Sequence, residues 1–188
     1  MRILLAPVAA FTLLVVMTGC TPAPSPSPSQ SPAPSASASA APSASPSSPA
    51  EEPADLPVPS CEQLVTPDAM YDYNSNVAFT PGYAPPAGGV IARVAASGVA
   101  CGWTNLSSGE VIAVAVGAPD AAARDAFTTE FASWGATSWG GTSGYFGVAG
   151  AEGRAAVVSD GYVVVSVSTT YVEAGDAEPI VDAALDAI

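Results

Sequence analysis

The chain has 188 residues, with 17 Asp and Glu against four Lys and Arg, no His, and a formal net charge of -13. The basic residues are all Arg (Arg2, Arg93, Arg124, Arg154), so there is no lysine for a Schiff base or a phosphate-binding loop, and no imidazole for base catalysis or metal ligation. The acid surplus repels phosphate backbones and anionic headgroups, which excludes nucleic acid as a partner.

Residues 1–19 read as a lipoprotein signal peptide. Arg2 gives a short positive start, Ile3 to Met17 is an almost unbroken apolar stretch, and Thr18 and Gly19 are small. The apolar stretch is short for a membrane span. Val16-Met17-Thr18-Gly19-Cys20 resembles the lipobox of bacterial lipoproteins, with Met17 where Leu is usual. The resemblance implies cleavage before Cys20 and a diacylglycerol on its sulfur. The alternatives are an ordinary cleaved signal with a chance Cys, or an uncleaved anchor. Two or more acyl chains give stable attachment. The expected location is extracytoplasmic, lipid-anchored to the cell membrane, with membrane lipid as the partner of Cys20.

Residues 20–60 read as the lipidated Cys followed by a disordered Pro/Ser/Ala-rich tether, with no large apolar side chain between Thr21 and Leu56. Such a segment has nothing to bury against the entropy of ordering it. About 40 residues of extended polyproline-like chain reach up to ~120 Å, a suitable spacer through a cell wall. Ser and Pro richness also makes the tether a candidate for O-glycosylation.

Residues 61–188 have the size of one domain. With Cys20 assigned to lipid, Cys61 and Cys101 remain as a pair outside the cytoplasm, where a disulfide is favoured. Ser60 and Gln63 stand at capping-box spacing, and Thr66-Pro67-Asp68 starts a second short helix. Val90 to Ala96 carries competing helix and strand signals, and helix is favoured. Val99 to Thr104 and Glu110 to Val116 flank a hairpin loop. Pro119 to Trp134 has Ala123, Phe127, Phe131 and Trp134 at helical spacing. Strands are expected near Gly144 to Val148, Arg154 to Ser159 and Tyr162 to Thr169, the last two turning at Asp160-Gly161. A final helical stripe contains Ile180, Val181, Ala184, Leu185 and Ile188.

These elements predict an α+β fold, an antiparallel sheet of about five strands with helices packed on one face. In the last strand Val163, Val165 and Val167 are expected to meet the helices, with Tyr162, Ser166 and Ser168 facing outward.

The Cys before Glu62-Gln63-Leu64-Val65 and the later Cys101-Gly102-Trp103 make the chain similar to small uncharacterised actinobacterial cell-envelope lipoproteins. The resemblance covers the lipobox, the tether and the two Cys neighbourhoods. It implies a Cys61–Cys101 bridge with Trp103 packed close by, and it carries over no active site. The Lys-free, Ala-rich composition agrees with a high-GC source of that kind.

Asp72-Tyr73-Asn74-Ser75-Asn76 imitates the start of a calcium loop, but Val77 stands where Gly is required and Tyr83 where the closing acid belongs. An EF-hand is excluded, leaving an irregular calcium turn or, more simply, a turn whose side chains bond their own backbone. Gly135 to Gly150 carries Trp139, Tyr145 and Phe146, candidate binding aromatics on a Gly-rich loop, with a core strand as the competing reading for the last two. Acids such as Asp120 with Asp125, or Glu173 with Asp176, Asp182 and Asp186, suit solvated helix faces better than a glycosidase dyad. No catalytic residue, cofactor or metal site is expected. The reading is a non-enzymatic envelope lipoprotein that binds an envelope protein or a small ligand. The alternatives are a carboxylate-dependent hydrolase of cell-wall glycans and a structural surface lipoprotein without a specific ligand.

Overall fold

A computed structural model describes residues 56–188. The residues expected to form the signal peptide, the lipidated Cys20 and the tether up to residue 55 lie outside the described residues.

Two short helices open the domain, α1 (Cys61–Leu64) and α2 (Pro67–Tyr73). The Ser60 amide donates to Gln63 Oε1 at 3.0 Å, and Thr66 Oγ1 accepts from the Ala69 amide at 3.2 Å, so both starts are capped by the residues whose spacing announces them. Then follow β1 (Val77–Phe79), α3 (Val90–Ala95), β2 (Gly98–Asn105), β3 (Val111–Gly117) and α4 (Ala121–Phe131). After them come β4 (Ala136–Trp139), β5 (Thr142–Ala149), β6 (Glu152–Ser159), β7 (Tyr162–Ser168) and α5 (Ala174–Leu185). Asp120 caps α4 by accepting from the Ala123 amide at 2.8 Å. Asp176 accepts from the amides of Val172 and Glu173 at the start of α5, and those bonds hold its carboxyl below the usual range.

Among the described residues, all strands join one antiparallel sheet of seven in the order β1-β2-β3-β7-β6-β5-β4. From β3 near the centre, α4 carries the chain to the far edge. Three successive hairpins then bring it back, so that β7 closes beside β3. The five expected strands are all present. The two additional ones are the short edge strands β1 and β4, whose few residues lack a sustained apolar alternation.

The sheet is covered on both faces, which corrects the expectation of helices on one face. Ile112, Val114 and Val116 of β3 join a cluster with Leu64, Met70, Ile180 and Val181, under α1, α2 and α5. The alternate residues Ala113 and Ala115 join a second cluster with Ile91, Val94, Phe127 and Phe131, under α3 and α4. The small Ala side chains leave room for aromatic rings from α4. Strand β7 therefore has no solvent face: Ser166 is 0 % and Ser168 1 % exposed. Their hydroxyls are satisfied locally, Ser166 Oγ with Tyr171 Oη and Ser168 Oγ with Thr170 Oγ1, each at 2.8 Å. A serine at the expected outward positions is thus a small, paired core residue.

The disulfide joins Cys61 to Cys101 and so ties α1 to β2. Trp103 lies beside the bridge, lining with Cys61 a hollow of about 160 Å³. The domain's contacts begin before Cys61, because Leu56 and Val58 pack on the first cluster and Tyr162 Oη donates to the Pro57 carbonyl at 2.8 Å.

Burial pushes the Tyr171 phenol far above its ordinary value of about 10, against a smaller opposing effect of its bond with Ser166. Above that ordinary value the folded state holds a proton that the unfolded state has lost, so stability falls as pH rises. We expect the urea midpoint to be level through neutral pH and to decline above about pH 10, with Tyr171→Phe showing a shallower alkaline decline.

Candidate functional site

The α3/α4 face is not completely roofed. A cleft of about 780 Å³ opens between the Tyr83–Arg93 segment and the end of the central strands. One cross-strand row builds it. Register aligns Gly102 with Ala113, Ala113 with Val167, Val167 with Arg154, and Arg154 with Gly147, across five strands.

The two glycines at the ends of this row seat aromatic residues directly on the sheet. A Cβ on Gly102 would lie 2.5 Å from ring carbons of Tyr83, and one on Gly147 would lie 2.8 Å from the Trp134 Cβ. Between them Ala113 and Val167, with Val111 beside them, form an apolar floor, and Arg154 rises from it. Gly102→Ala should therefore displace the Tyr83 ring at a cost of ~1–3 kcal/mol, the range of core overpacking. The denaturation midpoint reads that cost, and the Tyr83 phenol, held above its ordinary value first by burial and then by the Glu152 charge, should titrate closer to normal.

Charged groups surround the floor. Arg93 on α3 grips Glu130 on α4 through both terminal nitrogens, at 2.7 and 2.6 Å, and lies 5.5 Å from the Phe127 ring centroid. That fork holds the Glu130 carboxyl below the usual range. The pair is exposed enough to contribute at most ~1 kcal/mol, so it orients the wall rather than securing the fold. Glu110 accepts from Thr169 Oγ1 and Ser108 Oγ, each at 2.9 Å. Arg154 Nη2 meets Glu152 Oε2 at 3.2 Å, while its buried Nε has no acceptor.

No family model, curated protein or solved structure matches this chain. The chemistry of the cleft is therefore read from its own residues: an apolar floor, a phenol wall, three carboxylates each with a donor, and two guanidiniums, Arg93 forked onto Glu130 and Arg154 bonded to Glu152.

The aromatics singled out by sequence do not line this cleft. Trp139, a candidate binding aromatic by sequence, is only 2 % exposed; its Nε1 donates to the Ala174 carbonyl at 3.1 Å, and its ring lies over Gly144, where a Cβ would clash at 2.5 Å. It belongs to the core beneath α5. Tyr145 and Phe146 are half-buried on opposite faces of β5, Tyr145 against Phe131 at 6.2 Å between centroids and Phe146 against the other cluster. The three are not brought together.

Asn74 Oδ1 accepts from the Asn76 amide at 2.9 Å, and Asn76 Nδ2 donates to Asn105 Oδ1 and Ser107 Oγ. The calcium-like run is thus a turn stitched to the β2–β3 loop. Asp120 and Asp176 serve as helix caps.

Sequence reasoning overlooked Arg93, Arg154, Tyr83 and Gly102. One available signal was Arg154 itself, a charge in phase with Glu152 before it and with the apolar Ala156 and Val158 after it.

Proposed function

We propose that this chain is an envelope lipoprotein whose α+β domain, carried on a Pro/Ser/Ala-rich tether, binds a small ligand in the cleft beside Arg154 without catalysing a reaction. The observation that carries the reading is the cleft: a concave apolar floor with a few convergent polar groups is the common form of a ligand site. Its carboxylates are held by Arg93, Arg154, Thr169 and Ser108, which favours binding over proton transfer. The lipobox resemblance at Val16 to Cys20 supports the anchor, and the bridge at Cys61 and Cys101 suits an oxidising compartment.

Native mass spectrometry of the full chain purified from its own membranes tests the binding reading. The expected result is a small-molecule adduct that Gly102→Ala loses as Tyr83 shifts. Protein that never carries an adduct, or an adduct indifferent to Gly102→Ala, would overturn it. For the anchor, Cys20→Ala should move the protein from the membrane fraction to the soluble fraction with loss of acyl mass; continued lipid labelling of that variant would refute lipidation at Cys20.

A further inference from the structure

We propose that the cleft takes a small organic monocation with an apolar body, such as an alkylammonium, the ammonium pairing with Glu110 and the body lying on Val111, Ala113 and Val167. This rests on the ligand-binding reading above and assigns its ligand class.

The charges of the cleft do not cancel. Three carboxylates and two guanidiniums line it, and both guanidiniums are paired, Arg93 with Glu130 at 2.6 Å and Arg154 with Glu152 at 3.2 Å. Glu110 is left with two neutral donors, Ser108 Oγ on its Oε2 and Thr169 Oγ1 on its Oε1. A carboxylate oxygen accepts about two hydrogen bonds, so each keeps an open acceptor site.

The position of that charge narrows the ligand class. Glu110 is exposed, lines the cleft and immediately precedes Val111 of the floor. A molecule lying on Val111 crowds water away from a carboxylate that no cation offsets. A neutral body leaves this desolvation uncompensated, and an anion adds repulsion to it. An ammonium supplies the opposite charge together with N–H donors for the open acceptor sites. The formal net charge of -13 works in the same direction, drawing cations toward the domain and repelling anions. A bare divalent metal is a poorer fit: it needs several oxygen ligands, and among the described residues no group of three or more His, Cys, Asp or Glu could hold one. The valine and alanine floor gives a bare ion nothing, whereas it covers a hydrocarbon body.

The test uses the full chain in nanodiscs of zwitterionic lipid, with Ala and Val methyl groups labelled, titrated at neutral pH with hexylamine, hexanol, hexanoate and methylamine at measured free concentrations. Hexylammonium should move the Val111, Ala113 and Val167 methyl resonances saturably and bind about fivefold or more tighter than hexanol, the advantage of one partly exposed ion pair. Methylammonium, which carries the charge without the body, should leave those resonances in place. Glu110→Gln keeps the size of the side chain and removes its charge, and it should erase the hexylammonium preference. In the wild type, added salt should shrink that preference, which keeps the test independent of how the variant folds. Hexanol or hexanoate binding as tightly as hexylammonium, or a preference indifferent to both Glu110→Gln and salt, overturns the cation assignment while saturation of the methyl resonances leaves the ligand-binding reading standing. Methylammonium matching hexylammonium places the effect on the acidic surface instead of the cleft and overturns the assignment as well. If none of the probes moves the resonances, both readings fall.

Discussion

Replacing both Cys61 and Cys101 by Ser should lower the unfolding free energy by ~4 kcal/mol, the chain-entropy value for a loop of this length. The loop closed by the bridge spans a sequence separation of 40 and contains α2, β1 and α3. It also contains Tyr83 and Arg93, two residues of the cleft. Against a typical domain stability of about 5–15 kcal/mol, a loss of that size removes a large share of the total. Urea denaturation of oxidised wild type and the double Ser variant measures it. A change below about 1 kcal/mol would mean that the unfolded chain is already restricted in this region. The loss should be accompanied by a lower midpoint rather than by a change in the sheet, because β2 keeps its full register with β3.

Trp139→Ala should cost ~3–5 kcal/mol, the range for deleting a fully buried aromatic. The indole fills the space under α5 and its Nε1 satisfies the Ala174 carbonyl, which lies in the first turn of that helix. Trp139→Phe should cost less, since it retains a ring and loses mainly the hydrogen bond. An exposed binding aromatic would behave in the reverse manner, with little change in midpoint and a direct loss of affinity. Thermal or urea unfolding of the two variants therefore separates a core residue from a contact residue at the position where sequence pointed to contact.

The difference between those roles explains how far the sequence could be read. Periodicity and caps located α1, α2, α4 and α5, because Ser60, Thr66 and Asp120 act through their nearest neighbours and Phe127 and Phe131 repeat along one stripe, whereas α3 carried competing signals. Asp160-Gly161 likewise fixed the β6–β7 turn, with Asp160 and Gly161 both at positive φ. Facts decided by distant partners stayed hidden. Trp139 looked exposed among glycines, yet Gly144 is glycine so that the indole can lie on it. Ser166 and Ser168 looked outward-facing, yet the cluster under α1, α2 and α5 covers that face of the sheet too. The cleft depends on a row assembled from five strands, and register across β3, β7 and β6 cannot be read from one strand at a time. Gly102 was noticed as part of a Cys-x-Trp motif, but its role as the seat of Tyr83 needed the fold.

Strand β7 gives the domain a direction. At its first residue Tyr162 holds Pro57, where the N-terminal segment meets the sheet, and five residues later Val167 forms part of the cleft floor. At strand spacing the two points are roughly 17 Å apart. Tyr162 thus pins the Pro57 backbone beside the β6–β7 turn, nearly a strand's length from the cleft floor. A force applied at Pro57 would therefore enter at a hairpin end, while the cleft floor at Ala113 and Val167 lies on strands paired along both edges.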